Sequence, residues 1–155
     1  MADEESSADV NQAPASEIRK GGLIVIKGRP CRVMDVRRQS TKSLVFDVLD
    51  VFTAKKSEEV VQYHDAFEVP HVQRLAYEAL GVDEDGHVSV IDGEGQIRSD
   101  IELPDRVPEY RAVPGARMLS KKIVDCLQQG RVVEVIVQSA HWMVQIVDVK
   151  VTSLD

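Results

Sequence analysis

Apolar positions along the chain gather into short runs and alternations rather than long helical stripes, which predicts a protein built mostly of β-strands. Leu23-Ile24-Val25-Ile26 is an apolar run closed by the turn sequence Lys27-Gly28-Arg29-Pro30. Cys31 to Val36 follows, with Cys31, Val33 and Asp35 on one face. Ser43 to Phe52 is almost continuously apolar and β-branched, as a strand buried on both faces should be. Thr53-Ala54-Lys55-Lys56 is a polar turn, and Glu59 to Tyr63 begins another strand. Residues 71–80 fit a strand or a helix equally well. Asp83-Glu84-Asp85-Gly86 is a strong turn, and a domain boundary is expected near Gly81. Val88 to Val90 and Ile97 to Leu103 flank Asp92-Gly93-Glu94-Gly95 as a hairpin. Only Met118 to Gln129 reads as a helix: Leu119, Ile123, Val124 and Leu127 share a face, Gly130 is placed as its C-cap, and Ser120 could cap a shorter version. Val132 to Ser139 and Met143 to Val151 are two more valine-rich strands. Short strands at this spacing with one helix predict small β-barrels.

Composition narrows the class. At 155 residues with 43% apolar content the chain can bury a core, and no apolar run approaches the length of a membrane helix. The acidic start, Met-Ala-Asp-Glu-Glu, has no apolar stretch of the secretory kind, and two cysteines make no disulfide framework. A soluble cytoplasmic protein is expected. Residues 1–17 carry five acids, no base and few aliphatics, so they read as a disordered tail.

Charge changes the picture through its distribution. The net charge is −7, yet residues 18–42 hold eight bases (Arg19, Lys20, Lys27, Arg29, Arg32, Arg37, Arg38, Lys42) against the single acid Asp35. A polyanionic partner is therefore expected on that segment alone, through phosphate contacts weakened by salt. The plain alternative is a solvated basic face. Aromatic residues suited to base stacking are sparse in the C-terminal half, where Tyr110 and Trp142 stand in an acidic background.

No arrangement for catalysis emerges. His64, His71, His87 and His141 are scattered without metal-ligand spacing, and no metal or cofactor is expected. Cys31 and Cys126 read as small buried apolar groups. Asp83-Glu84-Asp85-Gly86 lacks calcium-loop spacing, and Gly93-Glu94-Gly95 has no helix behind it to cradle phosphate. The chain is not expected to be an enzyme.

Several strings resemble a known family in order. Arg19-Lys20-Gly21-Gly22 with Lys27-Gly28-Arg29-Pro30-Cys31 resembles the opening of eukaryotic translation factor 5A, the relative of bacterial elongation factor P. Asp50-Val51-Phe52-Thr53-Ala54-Lys55-Lys56 resembles that family's D-I-F-T-G-K-K turn, and Val69-Pro70-His71-Val72 its V-P-N-I stretch. Ile97-Arg98-Ser99-Asp100-Ile101-Glu102-Leu103-Pro104 resembles V-R-E-D-L-R-L-P. The resemblance implies an SH3-like β-barrel over residues 18–80 and an OB-fold barrel with one helix over 81–155. It also implies a translation elongation role, with the ribosome, ribosomal RNA and peptidyl-tRNA as partners and no membrane. In that family a lysine in S-T-S-K-T-G-K-H-G-H-A-K becomes hypusine, whose polyamine reaches the acceptor end of the transfer RNA and orients the reacting groups.

The chain departs from the family at this loop. Only Arg37-Arg38-Gln39-Ser40-Thr41-Lys42-Ser43 stands between Val36 and Leu44, without the Gly-Lys-His-Gly-His core. Ser40-Thr41-Lys42 reads as a remnant of the loop's first half, which makes Lys42 the candidate for modification, while the shortened loop leads us to expect ribosome binding without hypusine. A second relative, the self-assembling major protein of fungal Woronin bodies, resembles Gly130-Arg131, the alternation Val135, Val137, Ser139, and Val147 to Val151. It supplies the alternative of a structural paralogue that forms homo-oligomers. The chain ends Thr152-Ser153-Leu154-Asp155, unlike that protein's peroxisomal terminus.

Overall fold

The computed structural model describes residues 10–152 and divides the chain into two compact units, one up to Val72 and the other from Gln73. In the first, strands β2 (Leu23–Ile26), β3 (Arg29–Arg38), β4 (Ser43–Asp50) and β5 (Lys56–Gln62) form an antiparallel sheet in chain order. Strands β1 (Val10–Pro14) and β6 (Ala66–Pro70) pair with each other, and β6 lies beside β2. The central strand β4 is buried along almost its whole length, as its unbroken apolar run requires, and Phe46, Ile24 and Val33 are fully enclosed.

In the second unit the strand order is β11-β10-β7-β8-β9, from β7 (Val72–Val82), β8 (His87–Ile91), β9 (Ile97–Glu102), β10 (Val132–Ala140) and β11 (Met143–Thr152). One helix, α1 (Ala116–Gln128), lays Ile123 and Cys126 on this core of valines, with Leu119, Val124 and Leu127 at its border. The helix ends where the sequence places its stop. Gly130 turns left-handed (φ 73°), its N–H reaches the Leu127 carbonyl, and the Arg131 N–H reaches Cys126, which closes the last orphan carbonyls. The two sheet-rich units are the N-terminal barrel and the C-terminal OB fold that the resemblance implies, and the small β-barrels that the strand pattern predicts.

Three expectations need correction. The segment read as a tail is ordered from residue 10: β1 pairs with β6 and is followed by a 3-10 turn at Ala15–Glu17. Main-chain pairing and one small enclosed side chain, Ala15, hold it, so its poverty in large apolar residues was misleading. Residues 1–9 lie outside the described residues. The boundary falls at Val72/Gln73 rather than near Gly81, because 72–82 form one strand paired with β8 through Glu78 to Val82. Ser120 is no cap; it is buried inside α1, and its hydroxyl accepts the Asp105 N–H at 2.9 Å.

Candidate functional site

Seven of the eight cations of residues 18–42 separate into two groups once cross-strand neighbours are known, and Lys42 stands apart in the β3–β4 connection. Arg29 opens β3, and its Nε–H donates to Asp50 at the far end of β4, with both side chains largely enclosed. Asp50 also accepts the backbone N–H groups of Phe52 and Thr53, both at 2.9 Å. Burial raises the Asp50 pKa, but these three donors outweigh it and hold the carboxyl below its ordinary range. Arg29 is thus a structural cation.

Arg37 is tied up as well. The register sets Asp35 opposite Asp47 and Asp47 opposite Glu58, three acids in a row across three strands. Such a row repels itself. Arg37 bridges two of its members, with Nη2 at 2.9 Å from both Asp47 and Glu58. Arg32 donates to the Gly21 carbonyl at 2.9 Å, and Lys27 lies 3.9 Å from Glu59 in a loose surface pair. Cys31, between these charges, is buried; desolvation, with the nearby Asp50 charge, pushes its thiol up to about 11. It stays protonated and unreactive at neutral pH.

Arg19, Lys20 and Arg38 form the other group. They rim one groove of about 300 Å³, with Ser16 and Tyr63 beside them and Ile18, Val36 and Leu44 beneath. The Arg19-Lys20-Gly21-Gly22 loop reaches this place because it is docked on β3. The Gly21 N–H reaches the Val33 carbonyl at 2.7 Å, and the Val33 N–H returns to Gly22 at 2.8 Å. Gly21 sits at φ 90°, which a side chain would resist, and a Cβ on Gly22 would press on the Arg19 carbonyl. Arg38 ends β3 with its guanidinium 5.6 Å from the centre of the Tyr63 ring. Among the described residues none of the three has a carboxylate within ion-pair distance, and neither has Lys42.

The hairpin tip is short and closed on itself. The N–H groups of Gln39 and Ser40 both reach the Ser43 carbonyl. The Ser43 hydroxyl donates to Gln39, and the Ser40 hydroxyl accepts the Lys42 N–H. Lys42 leaves the tip toward β5, with its carbonyl accepting the Tyr63 N–H at 2.7 Å. The candidate lysine therefore stands on a pinned backbone beside β5, as an exposed residue.

Sequence reasoning missed Tyr63 as a groove wall and Asp47, Asp50 and Glu58 as partners. Alternation would have placed Asp47 and Arg37 on one face, but which residues sit opposite requires the register, and a bulge between Val33 and Asp35 shifts it. In the second unit Asp83, Asp85 and His87 bring possible ligand atoms within 4.8 Å of one another, a proximity that spacing did not suggest. Turn chemistry accounts for it: Asp83 Oδ1 accepts the N–H groups of Asp85 and His87 at 2.9 Å each.

Residues 8–64 match the family model "Translation initiation factor 5A-like, N-terminal", and residues 71–150 match "Eukaryotic elongation factor 5A hypusine, DNA-binding OB fold". Eukaryotic translation initiation factor 5A-3 of Solanum tuberosum is 35% identical over 97% of this chain and 96% of its own length. The 5A-3 protein of Arabidopsis thaliana is 38% identical over 67% of this chain and 74% of its own. A solved structure of a translation initiation factor eIF-5A family protein from Naegleria fowleri covers 92% of this chain and 99% of its own, with TM-score 0.75 and 29% identity. The 5A factor of Methanococcus jannaschii, at TM-score 0.56 and 17% identity, shares the fold. With both halves matched in order and a relative aligned nearly end to end, the chain belongs to the eukaryotic translation initiation factor 5A family.

Proposed function

We propose that this translation factor binds the ribosome during elongation through the groove of Arg19, Lys20 and Arg38, and that it does so without hypusine. The observation that carries the reading is the division of cations described above. Arg29 and Arg37 are spent on carboxylates of the same unit, whereas Arg19, Lys20 and Arg38 converge on one groove and face solvent. Cations that keep their hydration and lack an internal partner are the ones that can exchange counterions for phosphates. Tyr63 and the apolar floor give such a contact a shape, so that a sugar or base edge can lie against them while phosphates meet the rim.

The closed hairpin supports the second half of the proposal. A lysine that must carry a long polyamine into a distant reaction centre needs a projecting tip, and Lys42 lies past the tip with its carbonyl bonded to Tyr63. The glycines and histidines that surround the modified lysine in the family are missing between Val36 and Leu44. Positioning of peptidyl-tRNA would then rest on electrostatic contact with ribosomal RNA and the transfer RNA backbone. On this reading the role is one of binding and orientation.

Co-sedimentation with ribosomes at physiological salt tests the reading. Arg38→Glu combined with Lys20→Glu should abolish most of the pelleted protein, and Arg37→Glu should not reduce it beyond its effect on folding. Equal pelleting of the groove variant and the unaltered chain would sink the proposal. Intact mass of the protein from its native cell should match the unmodified sequence after N-terminal processing, and an adduct on Lys42 would contradict the second half.

A further inference from the structure

The cationic groove of the first unit lies within reach of the chain's own acids. Upstream of Val10 stand Asp3, Glu4, Glu5 and Asp9, with no base among them. From Val10 the chain runs as β1 toward the groove. Val10 is paired with Pro70 and Pro14 with Ala66; the Ala15 N–H then reaches the Asp65 carbonyl, and the Ser16 N–H that of Tyr63. Ser16 and Tyr63 are walls of the groove. Val10 therefore sits at the end of β1 away from the groove, six residues before Ser16, which is about 20 Å of extended chain.

Reach selects among the four acids. A segment that turns back at Val10 and runs beside β1 brings Glu5, Glu4 and Asp3 about 17 to 23 Å back along the strand, level with the groove. Asp9 stays beside Val10 and falls short. The return path is open: among the described residues β1 is paired on one edge, with β6, and its Asn11 and Gln12 are exposed polar residues. Charge points to the same place. Arg19, Lys20 and Arg38 converge on a groove of about 300 Å³, and among the described residues no carboxylate lies within ion-pair distance of them.

We propose that Asp3, Glu4 and Glu5 fold back onto Arg19, Lys20 and Arg38 and compete there with phosphates, an autoinhibitory contact carried by the chain itself. The inference rests on the reading of this groove as the ribosome site and adds how access to it is regulated. Tethering makes the competition effective, since an attached segment acts at a millimolar effective concentration whatever the concentration of the protein. Exposed ion pairs are individually weak and screened by salt, so the acids yield to a continuous phosphate backbone that offers more contacts. A groove filled about two-thirds of the time holds the affinity about three-fold below that of the open groove. Isolated phosphates then lose to the acids, and the dense phosphates of ribosomal RNA prevail.

A nitroxide on Ala2→Cys in the full chain reads the contact directly, because Cys31 and Cys126 are both buried. At low salt it should broaden the amide resonances of Ser16, Arg19, Lys20 and Tyr63. The broadening should vanish in about 0.5 M salt and on addition of tripolyphosphate. Asp3→Asn, Glu4→Gln and Glu5→Gln together should remove it and raise ribosome affinity about three-fold at low salt, whereas Asp9→Asn should do neither. Absence of broadening in the unaltered chain, or broadening that survives loss of the three acids, overturns the inference and leaves the ribosome reading standing. An equal gain from Asp9→Asn also overturns it, since net charge rather than place would then be at work. So does unchanged ribosome affinity in the triple variant when Arg38→Glu with Lys20→Glu still impairs pelleting. If the broadening is present and displaced by tripolyphosphate, yet that groove variant pellets normally, the ribosome reading fails and the contact stands.

Discussion

Among the described residues Arg29 and Asp50 form the most enclosed ion pair of the N-terminal unit, and their value lies in what removing one would leave behind. A carboxylate in that position without its arginine is a buried charge, and breaking such a pair costs about 3 kcal/mol. The pair also makes stability depend on pH with a definite sign. Burial works to raise the Asp50 pKa, while Arg29 and the N–H groups of Thr53 and Phe52 lower it further than burial raises it. A carboxyl depressed in the folded state contributes stability that is fully present above its unfolded value, near pH 4, and is lost as pH falls through the folded one. Asp50→Asn should therefore be clearly less stable than the unaltered chain at pH 7 in urea unfolding, with the gap closing on acidification below about pH 4. A gap of constant size down to pH 2 would contradict this account of the pair. Ala54 shows the limit of a motif at this scale. It stands at φ 62°, where the family pattern has glycine, so this chain bears a backbone strain of about 1 kcal/mol in the turn after β4.

At the scale of elements, the β3–β4 hairpin decides which cations can act. Its four-residue connection, 39–42, is held by the side chains of Gln39, Ser40 and Ser43, and its register creates the acid row that Arg37 bridges. Arg37→Ala should then lower the thermal unfolding midpoint while leaving ribosome affinity unchanged; a loss of affinity at unchanged stability would mean that Arg37 meets RNA after all. Strand β4 and helix α1 were legible in the sequence because one physical cause dominates each. An unbroken apolar run must be buried on both faces, and the periodic face of 116–128 ends at a glycine that can turn left-handed. Strand β1 was not legible, because backbone pairing with Ala66–Pro70 leaves no hydrophobic signature. Residues 71–80 stayed ambiguous for the same kind of reason: their side chains are mostly exposed, so the strand is fixed by its neighbours β8 and β10.

Across the whole molecule the distribution of charge outweighs its sum. A chain of net charge −7 still presents a cationic groove, because eight of its nineteen bases fall in 25 consecutive residues, 18–42, and three of these converge. The sequence showed the segment. It could not show which of its cations were already paired, since those partners (Asp47, Asp50, Glu58) are far along the chain and are brought near by strand register. The family membership was legible in ordered short strings, and both units match it from residue 8 to 150 with a gap only at 65–70. The most direct test of the claim that bare cations attach this factor to the ribosome is the salt dependence of its affinity. Each phosphate contact contributes about 0.7 to 0.9 to the slope of log K against log salt. Replacing Arg19, Lys20 and Arg38 together with glutamine should flatten that slope by about 2 to 3 units in ribosome binding followed across salt concentration. An unchanged slope in a variant that remains folded would place the ribosome contact elsewhere on the protein.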